Sequence, residues 1–307
     1  MKIIKIPIIC GPTTVGKTKT AIELAKIIKG QIISCDRFTF YSGVKSIRDI
    51  KQLEESIKCH FYGILGLNER TWSAEKYVSE VESLIPKIIR KGYIPIIEGF
   101  SGKYLDALIA CNAKKNRDFF YVPICIVYPE NTNLGLILKE RLSKGIKEDL
   151  LDETKDLMEK NPNCFPIKCG AIYKHIVKYL EKDISIEEAI TRSVNEALTL
   201  VIPLELGTFD RFPEMICIKE ETKNPKILAK KIQEIILEKN NSKIKWRDLS
   251  KAQKELLRNT IIQRELNTKE NFAKLEFKMR EALPGGNVLD KTYLESEIMK
   301  LKKTYFL

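Results

Sequence analysis

Residues 11–18 read Gly-Pro-Thr-Thr-Val-Gly-Lys-Thr, the pattern G-x-x-x-x-G-K-[ST]. This stretch constrains the fold strongly, because the pattern works in only one setting. A strand must deliver the chain to it and a helix must leave it, so that the loop N–H groups converge where the helix presents its positive end. Both neighbours are present. IIKIPIIC at 3–10 reads as a buried strand, and TKTAIELAKIIKG has helical apolar spacing and closes on Gly30. Gly11 and Gly16 allow the dihedrals that turn the N–H groups of Thr14, Val15 and their neighbours inward. Lys17 adds a point charge, and the Thr18 hydroxyl suits a Mg²⁺ ion bridging phosphate oxygens. A bound polyphosphate is expected here, with Mg²⁺ as its companion and Thr18 as the metal ligand.

The rest of the N-terminal half repeats strand and helix. QIISC, YIPIIEG (93–99) and FFYVPICIVY (119–128) are nearly continuous apolar runs, as strands buried on both faces of a parallel sheet require. Helical patterns at 49–60 and 73–91 separate the first of these. An α/β, P-loop NTPase-like parallel sheet flanked by helices is predicted. From about 132 the pattern turns helical, at 134–144, 148–160, 169–182 and 185–200. MICIK (215–219) reads as a returning strand and 225–239 as a further helix. Asn240-Asn241-Ser242 marks a linker. The expected division is a domain at 1–240, with its helical portion at about 132–200, and a basic helical extension at 241–307. In that extension 247–283 and 290–303 read as helices around a PGGN turn.

The formal net charge is +12, which favours anionic partners. Residues 243–307 hold 15 Lys/Arg against 9 Asp/Glu, an excess of six positive charges, so half the imbalance falls in about a fifth of the chain. A solvated lysine-rich surface accounts for that as well as a binding face does. No apolar run is long enough to span a membrane. The eight scattered cysteines form no C-x-x-C pair, and Cys164, Cys169 and His175 match no usual metal spacing. Reduced thiols in a cytoplasmic protein are expected.

The loop alone names no reaction. SCDRFTFYSG (34–43) follows the second apolar run and places Asp36 where an acid can reach the metal or accept a proton from a nucleophile. Capping a turn or pairing with Arg37 is the plainer role for Asp36. Phe38, Phe40 and Tyr41 suit either a pocket for an organic group or the core. Glu98 ends the third strand, either as a second acid near Mg²⁺ or as a buried cap. His60 reads as structural.

Together these segments resemble the isopentenyltransferase family, which includes tRNA dimethylallyltransferases and the adenylate dimethylallyltransferases that make cytokinins. Gly11–Thr18 match its loop in full. Asp36-Arg37-Phe38-Thr39-Phe40-Tyr41 is similar to its Asp-[Ser/Arg]-x-Gln-x-Tyr, with Thr39 in place of Gln. Gly99 and Ser101 match its Gly-Gly-[Thr/Ser], with Phe100 for the second glycine. LILKERLSKGIKEDLLDE (136–153) resembles a helix whose arginine, here Arg141, faces the phosphates. AIYKHIVKYLEKDISIEEAI (171–190) is also similar, with Ile172 where a glycine is usual. The likeness spans about residues 3–200.

The resemblance implies transfer of a dimethylallyl group from dimethylallyl diphosphate to adenine N6. By that analogy Asp36 takes the N6 proton and the Thr13 hydroxyl touches the oxygen between carbon and phosphorus. Lys17, Thr18 and Arg141 neutralise the leaving diphosphate. Arg37, Phe38, Tyr41, Gly99, Ser101, Tyr173 and Lys174 face the acceptor. Only about ten residues, CNAKKNRDFF, follow the helix after Ser101, too few for the helical insertion with which tRNA enzymes grip an anticodon stem-loop. The expected acceptor is therefore a free adenine nucleotide (AMP, ADP or ATP), as in cytokinin biosynthesis. Adenosine in the anticodon loop of tRNA is the first alternative. A P-loop nucleotide kinase and a non-catalytic relative are the others.

Overall fold

The computed structural model describes residues 3–45, 57–113, 118–129, 132–219, 224–238 and 244–249. Among these, seven strands form one sheet in the order β3-β2-β4-β1-β5-β6-β7. They are β1 (Ile4–Cys10), β2 (Gly30–Ser34), β3 (Cys59–His60), β4 (Ile94–Glu98), β5 (Phe119–Val127), β6 (Ile216–Lys219) and β7 (Ile244–Lys245). Neighbours are parallel except β6 and β7. β1 lies at the centre, between β4 and β5. Ile6, Ile8, Ile9, Ile32, Ile33, Ile96, Ile97 and Ile124 are fully buried. Removing a side chain of this kind costs about 2–5 kcal/mol once the cavity is counted. The continuous apolar runs thus have their cause in burial on both faces of the sheet.

Helices α1 (Lys17–Ile28), α2 (Ala74–Arg90) and α3 (Gly102–Ala110) join the strands. Ser73 caps α2, its hydroxyl accepting from Lys76 N–H at 3.2 Å. Between β5 and β6 the chain builds a helical layer. It contains α4 (Leu134–Glu148), α5 (Leu150–Lys160), α6 (Phe165–Cys169), α7 (Tyr173–Leu180), α8 (Ile186–Glu196) and α9 (Ile202–Phe209). Helix α10 (Pro225–Ile236) packs on α1.

Three sequence expectations change. The pattern at 49–60 does not end as helix: Cys59–His60 pairs with Ile32–Ile33 as an edge strand, and 46–56 lies outside the described residues. The helix expected at 169–182 is α7, which starts only at Tyr173, and a separate short helix, α6, ends at Cys169. They part at Gly170, where a Cβ would stand 2.5 Å from the Pro166 carbonyl oxygen. The helix expected to stop at 200 runs on through a wider turn at Ala197–Val201 into α9. Pro203 lies directly after that wider turn, at the start of α9.

The chain stays attached to the sheet past the expected boundary at 240. Strand β7 pairs with β6, and Trp246 is buried, donating from Nε1 to Asp210 at 2.8 Å. The helices expected at 247–283 and 290–303 lie outside the described residues, apart from the short turn Trp246–Asp248.

Candidate active site at the strand ends

Strands β1, β2, β4 and β5 all deliver their C-terminal ends to one edge of the sheet, where parallel α/β sheets place their ligands. The loop after β1 carries three positive dihedrals, with φ of 141° at Gly11, 71° at Thr14 and 91° at Gly16. Gly11 is obligatory, because a Cβ there would meet the Ile126 carbonyl oxygen at 2.4 Å. Val15 is buried and anchors the loop. Lys17 donates from Nζ to the carbonyl oxygens of Gly11 and Pro12, at 2.9 and 3.0 Å. The next helix begins at Lys17 itself, so its positive end faces the loop.

Glu98, at the end of β4, is nearer to this loop than its sequence position discloses. β4 is the direct neighbour of β1, and β2, which Asp36 follows, lies one strand further out. Thr18 Oγ1 donates to Glu98 Oε1 at 2.8 Å, and Tyr62 Oη donates to Glu98 Oε2 at 3.1 Å. Burial raises the Glu98 carboxyl above its ordinary value, offset by the Lys17 charge and the Thr18 hydroxyl. The pair offers a hydroxyl and a carboxylate, the hard oxygen donors that Mg²⁺ takes, so the residues present fit that ion.

Asp36 reaches the same edge through a close backbone approach. Cys35 N–H donates to the Glu98 carbonyl at 2.7 Å, and Gly99 lies against Asp36. Asp36 Oδ1 accepts from Phe38 N–H at 2.8 Å and so caps the turn Arg37–Phe40. The capping role read as the plainer one is therefore real, and it fixes the orientation of the carboxylate. The Arg37 guanidinium lies over the Phe165 ring, 5.6 Å from its centroid. Thr39, in place of glutamine, turns inward, bonding the Ser34 hydroxyl and donating to the Asp36 carbonyl at 2.7 Å.

The three rings of this stretch divide. Phe40 is fully buried among Trp72, Tyr77 and Tyr104. Tyr41 is buried on Phe165, and its hydroxyl donates to the Glu69 carbonyl at 3.1 Å. Both are core. Phe38 is half-buried against Phe165.

Ser101 begins α3, and its buried hydroxyl has no hydrogen-bond partner among the described residues. Phe100, in place of glycine, packs edge-on against Phe209 of α9. Tyr173 and Lys174 are engaged within the helical layer. The Tyr173 hydroxyl donates to Glu153 at 2.5 Å, and Lys174 pairs with Glu196, which also bonds His175. Arg141 is exposed on α4, and its charge acts on Tyr128, whose hydroxyl donates to the Thr13 carbonyl.

Two loop contacts escaped the sequence reading. One is Tyr128, just past β5. The other is Glu205 on α9, which accepts from Thr13 N–H at 2.7 Å. The only signal for Glu205 was a single acid within the apolar run LTLVIPLELGTF.

The IPP transferase family model matches residues 44–118. The family match and the names of the relatives support an enzyme of the prenyltransferase class. Among its relatives, the tRNA dimethylallyltransferase of Oenococcus oeni is 26% identical over 242 residues, 73% of this chain and 93% of the relative. That of Pelagibacter ubique is 38% identical over 107 residues, 34% of each chain. The crystal structure of a tRNA isopentenylpyrophosphate transferase from Staphylococcus epidermidis shares the fold. It has a TM-score of 0.66 at 19% identity and covers 77% of this chain and all of its own.

These relatives overturn the expectation of a free adenine nucleotide as acceptor and of cytokinin synthesis as the setting. The physical flaw lies in the argument from length. The connection after α3 is short, as read, and helices α4 to α9 lie between β5 and β6. One short loop therefore does not discriminate between acceptors. Among the described residues no helix is long and apolar enough to cross a membrane, and none of the eight cysteines forms a disulfide.

Proposed function

We propose that this protein is a tRNA dimethylallyltransferase, transferring the dimethylallyl group of dimethylallyl diphosphate to N6 of an adenosine in the anticodon loop of tRNA. The observation that carries this reading is the meeting, at one sheet edge, of a complete phosphate loop and the Asp36 carboxylate, in a chain whose relatives bear that name. The net charge of +12 suits a polyanionic acceptor. The cysteines suit a cytoplasmic setting.

In this reading the diphosphate of the donor lies in the loop from Gly11 to Thr18, against the N–H groups of Thr14, Val15 and Gly16. The adenine N6 attacks the allylic carbon, its lone pair forms the new C–N bond, and the C–O bond breaks with its electrons leaving on diphosphate. The N6 proton goes to Asp36. One carboxylate oxygen is held by Phe38 N–H, which aims the other. Lys17 and Arg141 balance the charge that grows on the leaving diphosphate, an effect that is usually the largest in such reactions. The Thr13 hydroxyl lies at the bridging oxygen. Thr18, with Glu98 beside it, would hold Mg²⁺, which would add further neutralisation of that charge. Arg37, Phe38, Gly99 and Ser101 surround Asp36 and are assigned to the adenine side.

The test is incubation of the full chain with labelled dimethylallyl diphosphate, Mg²⁺ and unmodified tRNA, with AMP, ADP and ATP in parallel. Label in tRNA supports the reading. Label only in a nucleotide, or in nothing while the protein is folded, overturns it.

A further inference from the structure

Glu205 is an acid that the phosphate-loop motif does not call for. It stands on α9, which follows the wide turn at Ala197–Val201. Its side chain is only 8% exposed. Glu205 Oε2 accepts from Thr13 N–H at 2.7 Å. Lys17 from α1 and the Thr13 hydroxyl favour its charged form. Asp36, beyond β2, opposes it. Tyr128 past β5 faces the same corner, where its phenol is held neutral by burial and by the Glu205 charge and also feels Arg141 from α4. A loop of this type holds an anion by converging N–H groups. Here one corner of it is already held by a carboxylate. A second anion brought into that dry corner meets the first at short range, where water does little to screen the repulsion.

We propose that Glu205 is a resident competitor for diphosphate at the Thr13 corner of the loop, and that diphosphate binds there together with one proton taken up by the Glu205 carboxyl. The proton turns a repelling carboxylate into a neutral donor that the incoming anion accepts from. Burial pushes this carboxyl up to about 7, against the pull of Lys17 and Thr13, so the proton is within reach near neutral pH. The consequence is a donor affinity that falls as the solution becomes alkaline. The inference rests on the proposed function for the identity of the donor alone; the competition belongs to the loop.

The test uses inorganic pyrophosphate with Mg²⁺ as the probe, titrated calorimetrically into the full chain and into Glu205→Gln, from about pH 6 to about pH 8.5. Ionisation of the probe itself is common to both proteins and cancels in their ratio. The wild type is expected to weaken relative to the variant by up to about tenfold per pH unit above about 7, and the variant to bind more tightly throughout that range. Titrations in two buffers of different ionisation heat should report about one proton taken up by the wild type near neutrality and less by the variant. Glu205→Met repeats the comparison should the glutamine variant fold poorly. Parallel curves, no proton uptake by the wild type, or no pyrophosphate binding by any of the proteins overturns the proposal. Diverging curves in a protein that never prenylates tRNA would leave it standing and remove the functional reading instead.

Discussion

Gly99 lies so close to Asp36 that a Cβ on the glycine would stand 3.2 Å from both the Cβ and the backbone nitrogen of Asp36. Gly99 also has φ of 119°, outside the range that other residues adopt easily. The end of β4 therefore sets the position of the acid that follows β2. Gly99→Ala should destabilise the fold by roughly 1–3 kcal/mol, seen in urea unfolding, through strain at that dihedral. It should also slow transfer by more than the stability loss explains, because Asp36 must move. Unchanged activity in a folded Gly99→Ala protein would show that the position of Asp36 is not critical.

Asp36→Asn keeps the cap to Phe38 N–H and removes the base. Single-turnover transfer to tRNA should fall by about 10²–10⁴-fold, with tRNA affinity little changed. A loss of only a few-fold would assign proton removal elsewhere.

Thr18→Val is nearly isosteric and deletes the hydroxyl that donates to Glu98 at 2.8 Å. The Mg²⁺ concentration for half-maximal transfer should rise by about 10–100-fold, with a stability loss of about 1–3 kcal/mol because the buried Glu98 carboxyl loses a donor. An unchanged Mg²⁺ requirement would remove Thr18 from the metal site.

The sequence disclosed the loop, the strands beside it and Asp36, because each follows from local chemistry: a glycine pattern, apolar continuity, an acid after a strand. Spatial order was less legible. Nothing local says that β4 lies between β1 and β2, so Glu98 ranked behind Asp36 although Glu98 is the acid bonded to Thr18. Phe40 and Tyr41 resembled pocket rings because an exposed ring and a core ring look alike in sequence; the tertiary stack decides. Tyr173 and Lys174 matched a motif yet are tied to Glu153 and Glu196. Glu205 was hidden because its partner is Thr13, 192 residues away.

His60 on β3 bonds Gln31 Oε1 at 2.8 Å, and burial, with Lys58 and Lys91 nearby, lowers its pKa to about 4. The unfolded chain, with an ordinary imidazole near 6.5, then binds more protons than the native one between these values. This contribution is present above about pH 6.5 and is lost as pH falls toward 4. After allowance for solvent screening of a half-buried ring it is on the order of 1–2 kcal/mol. His60→Gln should flatten the acid limb of a urea-stability profile by that amount. A profile that keeps the wild-type slope would place the acid sensitivity in other groups.

The most direct test of the central claim is mass analysis of nucleosides from unmodified tRNA after incubation with dimethylallyl diphosphate, Mg²⁺ and the full chain, run beside Asp36→Asn. The account predicts one adenosine per tRNA heavier by a single dimethylallyl group, on N6 and in the anticodon loop, formed by the wild type and nearly absent with the variant. An unmodified tRNA with the folded wild-type protein, or equal product from both proteins, would contradict it.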